Sequence, residues 1–135
     1  MSVKEQLQQI RKINVMIDYK LREIESLRTL AESTTVILKS DPVQSSSEDK
    51  IGSIVARIVD LEHDIDSEID NLVDIKTKLY KTIEQLDVIS FELMYKRYFE
   101  FKSWDTISNE MSYSRQGLWK LHGKILQKLE SGYTS

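Results

Sequence analysis

A seven-residue repeat of apolar side chains in the middle of the chain constrains its fold more than any other feature. Isoleucine or leucine occupies every seventh position, at Ile51, Ile58, Ile65, Leu72, Leu79 and Leu86. Apolar residues also fill the position three later, at Ile54, Leu61 and Ile75, and are displaced by one residue at Ile69 and Ile83. Such a sustained repeat is typical of coiled-coil packing. It predicts a helix that begins near Ser47 or Glu48 and is about 57 Å long at ~1.5 Å per residue.

The segment before this repeat predicts another helix of similar length. Ser2 and Glu5 have the spacing of a capping box at its start. Apolar residues then recur at steps of three and four and form one stripe: Leu7, Ile10, Ile13, Ile17, Leu21, Ile24, Leu27 and Ala31. The helix should end before Pro42, because proline lacks the backbone N–H and disfavours the helical conformation of the residue before it. We expect a polar loop over residues 39–50 and an antiparallel helical hairpin.

The hairpin predicts a homodimer. Two amphipathic helices bury one side each, whereas two hairpins together complete a four-helix arrangement. We therefore interpret residues 1–87 as a coiled-coil-like dimerisation region. A bent monomer, with the C-terminal segment packed on the hairpin, is the alternative.

Composition supports an all-α fold and narrows the classes of function. The 135 residues include 4 glycines, 1 proline and no cysteine, which favours long helices and excludes disulfides and thiolate metal sites. The sequence has no signal-peptide pattern and no apolar run of roughly 18 residues, so we expect a cytoplasmic protein with no membrane partner. It also lacks a glycine-rich phosphate loop and a nucleophile elbow, so we expect neither an enzyme nor a bound cofactor.

The C-terminal third differs from the rest of the chain in net charge and in the spacing of its apolar residues. Residues 1–94 contain 12 Lys and Arg against 18 Asp and Glu, a net of −6, whereas residues 95–135 contain 7 against 4, a net of +3. After Asp87, apolar spacing predicts three short helices, with inner faces formed by Ile89, Leu93, Met94 and Tyr98, by Trp104, Ile107 and Met111, and by Leu118, Leu121, Ile125 and Leu129. Ser103 and Ser114 are predicted helix caps. The spacing predicts a helix-turn-helix domain over residues 88–130 and a tail over 131–135.

The residues of this domain also have a familiar pattern. The run MYKRYFEFKSWDTISNEMSYSRQGLWKLHGKILQKL, Met94–Leu129, resembles the fourth, promoter-reading region of bacterial sigma factors without a gap. With the heptad region before it, the chain is similar to phage and prophage transcription regulators of Gram-positive bacteria, of the RinA and ArpU type. The resemblance implies a sequence-specific DNA-binding regulator of late phage genes. No segment resembles the sigma regions that bind core polymerase, so activation from upstream DNA is the expected mechanism.

The resemblance assigns roles to residues of the last helix. Base reading falls on Arg115, Gln116 and Lys120, because arginine or lysine can bind guanine and glutamine can bind adenine in the major groove. Lys124 and Lys128 lie further along the helix and are expected to contact phosphates, which adds affinity without sequence information.

The other notable positions of the domain are two further candidates for DNA contact and three departures from the sigma pattern. Lys102 belongs to the predicted DNA-binding set, and Trp119 is either packed in the domain or in contact with the DNA backbone. Gln116 replaces the usual glutamate of the sigma pattern, Gly117 an arginine and Phe101 a glycine. Gly117 should loosen the first helical turn by roughly 1 kcal/mol relative to alanine.

Each of the two histidines has a structural interpretation as well as a functional one. His122 lies in an apolar arc, which favours a structural histidine over a catalytic one. His63 lies within an acidic run over 60–74, which favours a solvated helix face over a metal site. That face could meet a basic surface of RNA polymerase or keep the hairpin away from DNA. The rival to DNA binding is a coiled-coil adaptor whose sigma-like domain binds polymerase or a sigma factor.

Overall fold

The computed structural model describes residues 1–40 and 45–131, with side chains described for 1–35 and 48–131. Over these residues the chain forms five helices and no strand: α1 (Val3–Ser40), α2 (Ser45–Ile83), α3 (Val88–Tyr98), α4 (Trp104–Met111) and α5 (Arg115–Glu130). The predicted all-α fold class is confirmed. Within the described ranges, none of the helices has the length and apolar character that a bilayer span requires.

The helices form two compact units, and both units include parts of α1 and α2. Residues 14–71 form one unit, with 6 Lys and Arg against 13 Asp and Glu, a net of −7. Residues 1–13 and 72–135 form the other, with 13 against 9, a net of +4. We call them the acidic unit and the basic unit. The division into a dimerisation region and a DNA-binding domain at residue 87 concerns function and stays a prediction.

In the acidic unit α1 and α2 pack as an antiparallel hairpin. Its core is Ile24, Leu61 and Ile65, and the half-buried side chains of Ile17, Leu27 and Ile58 pack around it. The Nζ of Lys20 lies 2.7 Å from Oε1 of Glu68. Further along α1, Leu30 and Thr34 line a groove with Ser53 and Ile54 of α2, so later positions of α1 meet earlier positions of α2. This confirms the hairpin predicted from the two apolar stripes.

The seam of the hairpin departs from the predicted repeat at Ile69. The Ile69 side chain is 43% exposed, whereas Glu68 is half-buried and forms an ion pair with Lys20. One residue along a helix is a rotation of about 100°, which carries Ile69 away from α1. The displaced residue at the other predicted slip, Ile83, is fully buried as expected. On α1, Leu21 was expected in the apolar stripe but is 52% exposed.

Both ends of the predicted loop over 39–50 are helical instead. Helix α1 continues to Ser40 and α2 begins at Ser45, so residues 39–40 and 45–50 are helical. Glu48 lies in the first turn of α2, where a carboxylate is favourable toward the helix dipole. Helix α2 therefore begins two residues before the earliest predicted start. Positions 41–44 of the predicted loop and 132–135 of the predicted tail lie outside the described residues.

The basic unit gathers the start of α1, the end of α2 and the three short helices around one core. The predicted capping box is present, because the N–H of Glu5 donates to Oγ of Ser2 (3.1 Å) and the N–H of Ser2 reaches Oε2 of Glu5 (3.4 Å). Buried apolar side chains come from every helix of the unit: Leu7, Ile10, Ile75, Leu79, Ile83, Leu93, Met94, Ile107, Leu118, Ile125 and Leu129. The core therefore includes residues from both ends of the described chain.

Candidate nucleic-acid interface

Each of the three short helices begins with a side-chain cap. The acceptor is a carboxylate or hydroxyl oxygen and the donor is the backbone N–H three residues later, at Asp87 with Ser90 (3.2 Å), Ser103 with Thr106 (3.2 Å) and Ser114 with Gly117 (3.0 Å). These bonds satisfy helix-start donors that would otherwise lack partners. The predicted caps at Ser103 and Ser114 are confirmed. Hydrogen bonds from Ser90 hold the pKa of Asp87 below its usual value.

The turn between α4 and α5 has only three residues, 112–114. Ser112 has a left-handed backbone (φ 58°), and the N–H of Tyr113 donates to the carbonyl of Ser108 (3.2 Å). The Ser108 hydroxyl in turn donates to the Tyr113 carbonyl. These bonds tie the turn to the end of α4, and a short turn between two helices is compatible with a helix-turn-helix.

The turn between α3 and α4 keeps a left-handed residue although it has no glycine. Phe101 has φ 55°, at the position where the sigma pattern has glycine. A non-glycine residue pays about 1–2 kcal/mol for this conformation. The Nζ of Lys76 lies 4.6 Å from the Phe101 ring centroid and donates to the Phe99 carbonyl (3.4 Å). Burial lowers the pKa of Lys76. Through its contacts with Phe101 and Phe99, this residue of α2 supports the turn.

His122 is part of the core beneath the candidate interface. Its Nε2 lies 2.8 Å from the hydroxyl of Tyr98, and only 8% of the residue is exposed. Burial lowers the pKa of His122, and the charge of Arg97 lowers it further. Burial raises the pKa of Tyr98. The pair fixes α5 against α3, which agrees with the structural role expected for this histidine.

The outer side of α5 is a polar, cationic stripe. Gln116, Lys120, Lys124 and Gln127 recur at steps of four, four and three and are all exposed. Such spacing places side chains on one helix face. Among the described residues, no ion pair includes Lys120 or Lys124. We call these four residues the α5 stripe; it can offer two cations and two amides to a ligand.

Arg115 lies at the start of α5, where it pairs with Asp105. Its Nε is 3.3 Å from Oδ1 of Asp105, and the two side chains are 63% and 73% exposed. An exposed pair of this kind contributes little to stability and is easily exchanged for another partner. Lys128, in the last turn of α5, is exposed, and its charge adds a minor lowering to the pKa of Asp87.

Lys102 is placed differently from the α5 residues. Its Nζ lies 2.8 Å from a carboxylate oxygen of Glu110 and 3.6 Å from Glu100, and Lys96 binds the same Glu110 (2.9 Å). The hydrogen bond that Lys102 donates to Glu110 raises the pKa of Lys102. Acidic partners therefore compensate its charge, and the structure does not bring it into the α5 stripe.

Trp119 packs on one side and remains accessible on another. Its ring stacks on Trp104 with centroids 5.2 Å apart, yet 55% of the residue is exposed. Trp104 was expected in the core but is only half-buried, and the Arg97 guanidinium lies 4.7 Å from its ring centroid. Trp119 is therefore packed in the domain through one face of its ring, and it also exposes surface beside Lys120 in the sequence.

The alternative in which the C-terminal segment packs on the hairpin did not specify the start of α1 as the neighbour of this domain. The backbone N–H of Lys4 donates to Oε1 of Glu130 (2.9 Å), 126 residues away. A groove of about 170 Å³ lies beside this contact, lined by Lys4, Leu7, Gln8, Arg11, Tyr98, His122 and Leu126. No local signal could reveal it, because the apolar stripe of α1 does not specify which helix covers it.

Over residues 1–40 and 45–131, no three His, Asp or Glu side chains are grouped as metal ligands would be. Comparison of the chain with models of protein families, with curated proteins and with solved structures gave no match.

Proposed function

We propose that this chain is a sequence-specific DNA-binding transcription regulator of phage type, which inserts α5 into the major groove. The observation that carries the proposal is the α5 stripe: an exposed face with two lysines outside any described ion pair, on the capped second helix of a helix-turn-helix. An α-helix fits the major groove, and helix-turn-helix proteins read it with this helix. The resemblance to sigma region four supports the same role.

The distribution of charge supports DNA as the partner. The basic unit carries a net of +4 and the acidic unit −7, so an approaching polyanion is attracted to one unit and repelled by the other. Arg115 and Gln116 begin α5 and are suited to base edges, whereas Lys124 and Lys128 are suited to phosphates. The acidic unit then keeps the hairpin off DNA or meets a basic surface of RNA polymerase.

The proposal includes a cytoplasmic homodimer that activates late phage genes. A dimer joined through the hairpins would present two α5 helices to two half-sites. Sedimentation at micromolar concentration tests the dimer, and a mass near that of one 15.8 kDa chain would contradict it.

DNA binding is tested by capture of genomic fragments with the purified full chain, followed by anisotropy titrations on the recovered sequence. We expect affinity to fall steeply between about 0.05 M and about 0.2 M salt, because binding releases counterions from the phosphates. The slope of the logarithm of the binding constant against the logarithm of salt concentration is the logarithmic salt slope. Lys124→Ala should make it less steep by about 0.9 on every sequence. Gln116→Ala should instead relax preference at one base pair, at about 1–3 kcal/mol.

Lys78→Ala is the matched control, because Lys78 is exposed in the basic unit but lies on α2. It should keep the salt slope of the unaltered protein. Failure of the unaltered protein to retain any fragment at low salt would remove the regulator proposal.

A protein-binding adaptor is the second candidate, and a specific surface favours it. The basic unit exposes apolar and aromatic side chains around the junction of α2 and α3: Tyr80 (40%), Val88 (71%), Ile89 (43%) and Tyr95 (37%). Ile89 was expected on the inner face of its helix. Patches of this kind often mark protein contacts. If Val88→Asp abolishes capture of polymerase or a sigma factor while DNA is never bound, the adaptor replaces the regulator.

A further inference from the structure

The start of α1 is fixed beside α5 by burial and by one charge-assisted hydrogen bond. Leu7 and Ile10 are 3% and 0% exposed and belong to the core of the basic unit. The Glu130 carboxylate accepts from the backbone N–H of Lys4, at the positive end of the α1 dipole. The first turns of α1 are therefore a built part of the domain that carries the α5 stripe.

The polar side chains of these turns share one edge. Lys4, Gln8 and Arg11 are spaced by four and three residues, which places them on one side of α1, and all three are exposed. They line the groove whose other wall includes His122 and Leu126 of α5. Among the described residues, no ion pair includes Lys4 or Arg11.

This edge lies next to the α5 stripe. Gln127 of the stripe is three residues before Glu130 on α5, and residues three apart lie on one helix face, so Gln127 neighbours the carboxylate that accepts from Lys4. Helices in contact have axes about 8–10 Å apart, and the major groove is about 12 Å wide. A helix beside the one that fills the groove therefore lies over the phosphates that border it.

We propose that Lys4, Gln8 and Arg11 bind a phosphate of the DNA backbone that flanks the groove occupied by α5. The inference rests on the proposed DNA binding and extends it to a helix outside the sigma-like segment. Arg11 supplies a guanidinium suited to bidentate contact with phosphate oxygens, Lys4 a second cation and Gln8 an amide donor. Contacts of this kind position a protein on DNA without reading its sequence.

The test compares Arg11→Ala with Lys12→Ala in the full chain. Lys12 is exposed, lies one position further on α1 and does not line the groove. We expect Arg11→Ala to flatten the logarithmic salt slope by about 0.9, the value of one phosphate contact, and to weaken binding equally on all sequences. Lys12→Ala should keep the slope, and Arg11→Lys should restore most of it. Circular dichroism melting checks that each variant keeps the fold.

The outcomes separate this inference from the proposed function. If Lys124→Ala flattens the slope and Arg11→Ala does not, the edge is not a DNA contact although α5 binds DNA. If Arg11→Ala and Lys12→Ala flatten it alike, the effect is one of general charge and the inference is overturned. Saturable binding of inorganic phosphate that requires Arg11, with an unchanged DNA slope, would assign the groove to a small anion instead. If the unaltered protein binds no DNA, both proposals fail.

Discussion

The two units are built from the same pair of long helices but bury their side chains to different depths. Among the side chains described, over 1–35 and 48–131, the seven largest that are fully buried all belong to the basic unit: Ile10, Leu79, Ile83, Leu93, Met94, Ile107 and Leu118. In the acidic unit the core positions Ile24, Leu61 and Ile65 remain 3–7% exposed. Two helices cannot enclose a side chain, whereas five helical segments can. The basic unit should therefore supply most of the stability of the chain.

The largest expected effect comes from truncation of a side chain in the basic unit. Ile10→Ala should lower the free energy of unfolding by about 2–5 kcal/mol, because it leaves a cavity in the core of the basic unit. Ile69→Ala is the matched control, since Ile69 is 43% exposed in the acidic unit. This substitution should change the free energy of unfolding by less than about 0.5 kcal/mol. Chemical denaturation measures both. Equal effects of the two substitutions would break the comparison between the units.

A smaller effect should appear as a dependence of stability on pH. The pKa of His122 in the folded chain lies below its ordinary value of 6.5 because the ring is buried. Above this value both states are neutral, and the residue does not alter stability. As the pH falls below about 6.5, the unfolded chain binds a proton that the folded chain does not, so stability decreases until the folded pKa is reached.

His122→Gln removes this proton and should reduce the loss of stability between about pH 7.5 and about pH 5.5. Melting temperatures at the two pH values give the comparison. His63→Gln is the control, because it removes the exposed histidine of the acidic unit. A larger change from His63→Gln than from His122→Gln would contradict the assignment of this pH dependence to the basic unit.

The smallest effect concerns the ion pairs of the acidic unit. Lys20 and Glu68 are 19% and 25% exposed, so Lys20→Ala leaves a half-buried carboxylate without its closest cation and should cost about 1 kcal/mol. Arg22→Ala breaks the exposed pair with Asp18 and should cost less than about 0.5 kcal/mol. A double-mutant cycle on each pair measures the difference. An equal coupling energy in the two pairs would show that burial does not distinguish them.

Local patterns allowed much of this fold to be predicted. Apolar periodicity indicated the long helices, and the hydroxyls of Ser103 and Ser114 marked the starts of α4 and α5, because caps depend on residues three positions apart. The displacement at Ile69 was misread, since periodicity does not show that the Glu68 side chain can occupy the seam when Lys20 pairs with it.

The candidate site was predictable along α5 but not around it. Spacing within one helix identifies the exposed face of Lys120 and Lys124. The pairing of Lys102 with Glu110, the half-burial of Trp104 and the approach of Lys4 to Glu130 all depend on tertiary packing. A single sequence contains no signal for contacts of that range.

The contact between Lys4 and Glu130 also has a consequence for the order of folding during synthesis. Residues 14–71 can form their hairpin as soon as they leave the ribosome, whereas Leu7 lacks its neighbours His122 and Leu126 until α5 emerges. At ~5–20 residues per second this delay lasts several seconds. We expect nascent chains arrested before α5 to be cut by protease near Leu7, and full-length chains to resist. Emergence of α5 is thus the step that completes this part of the core.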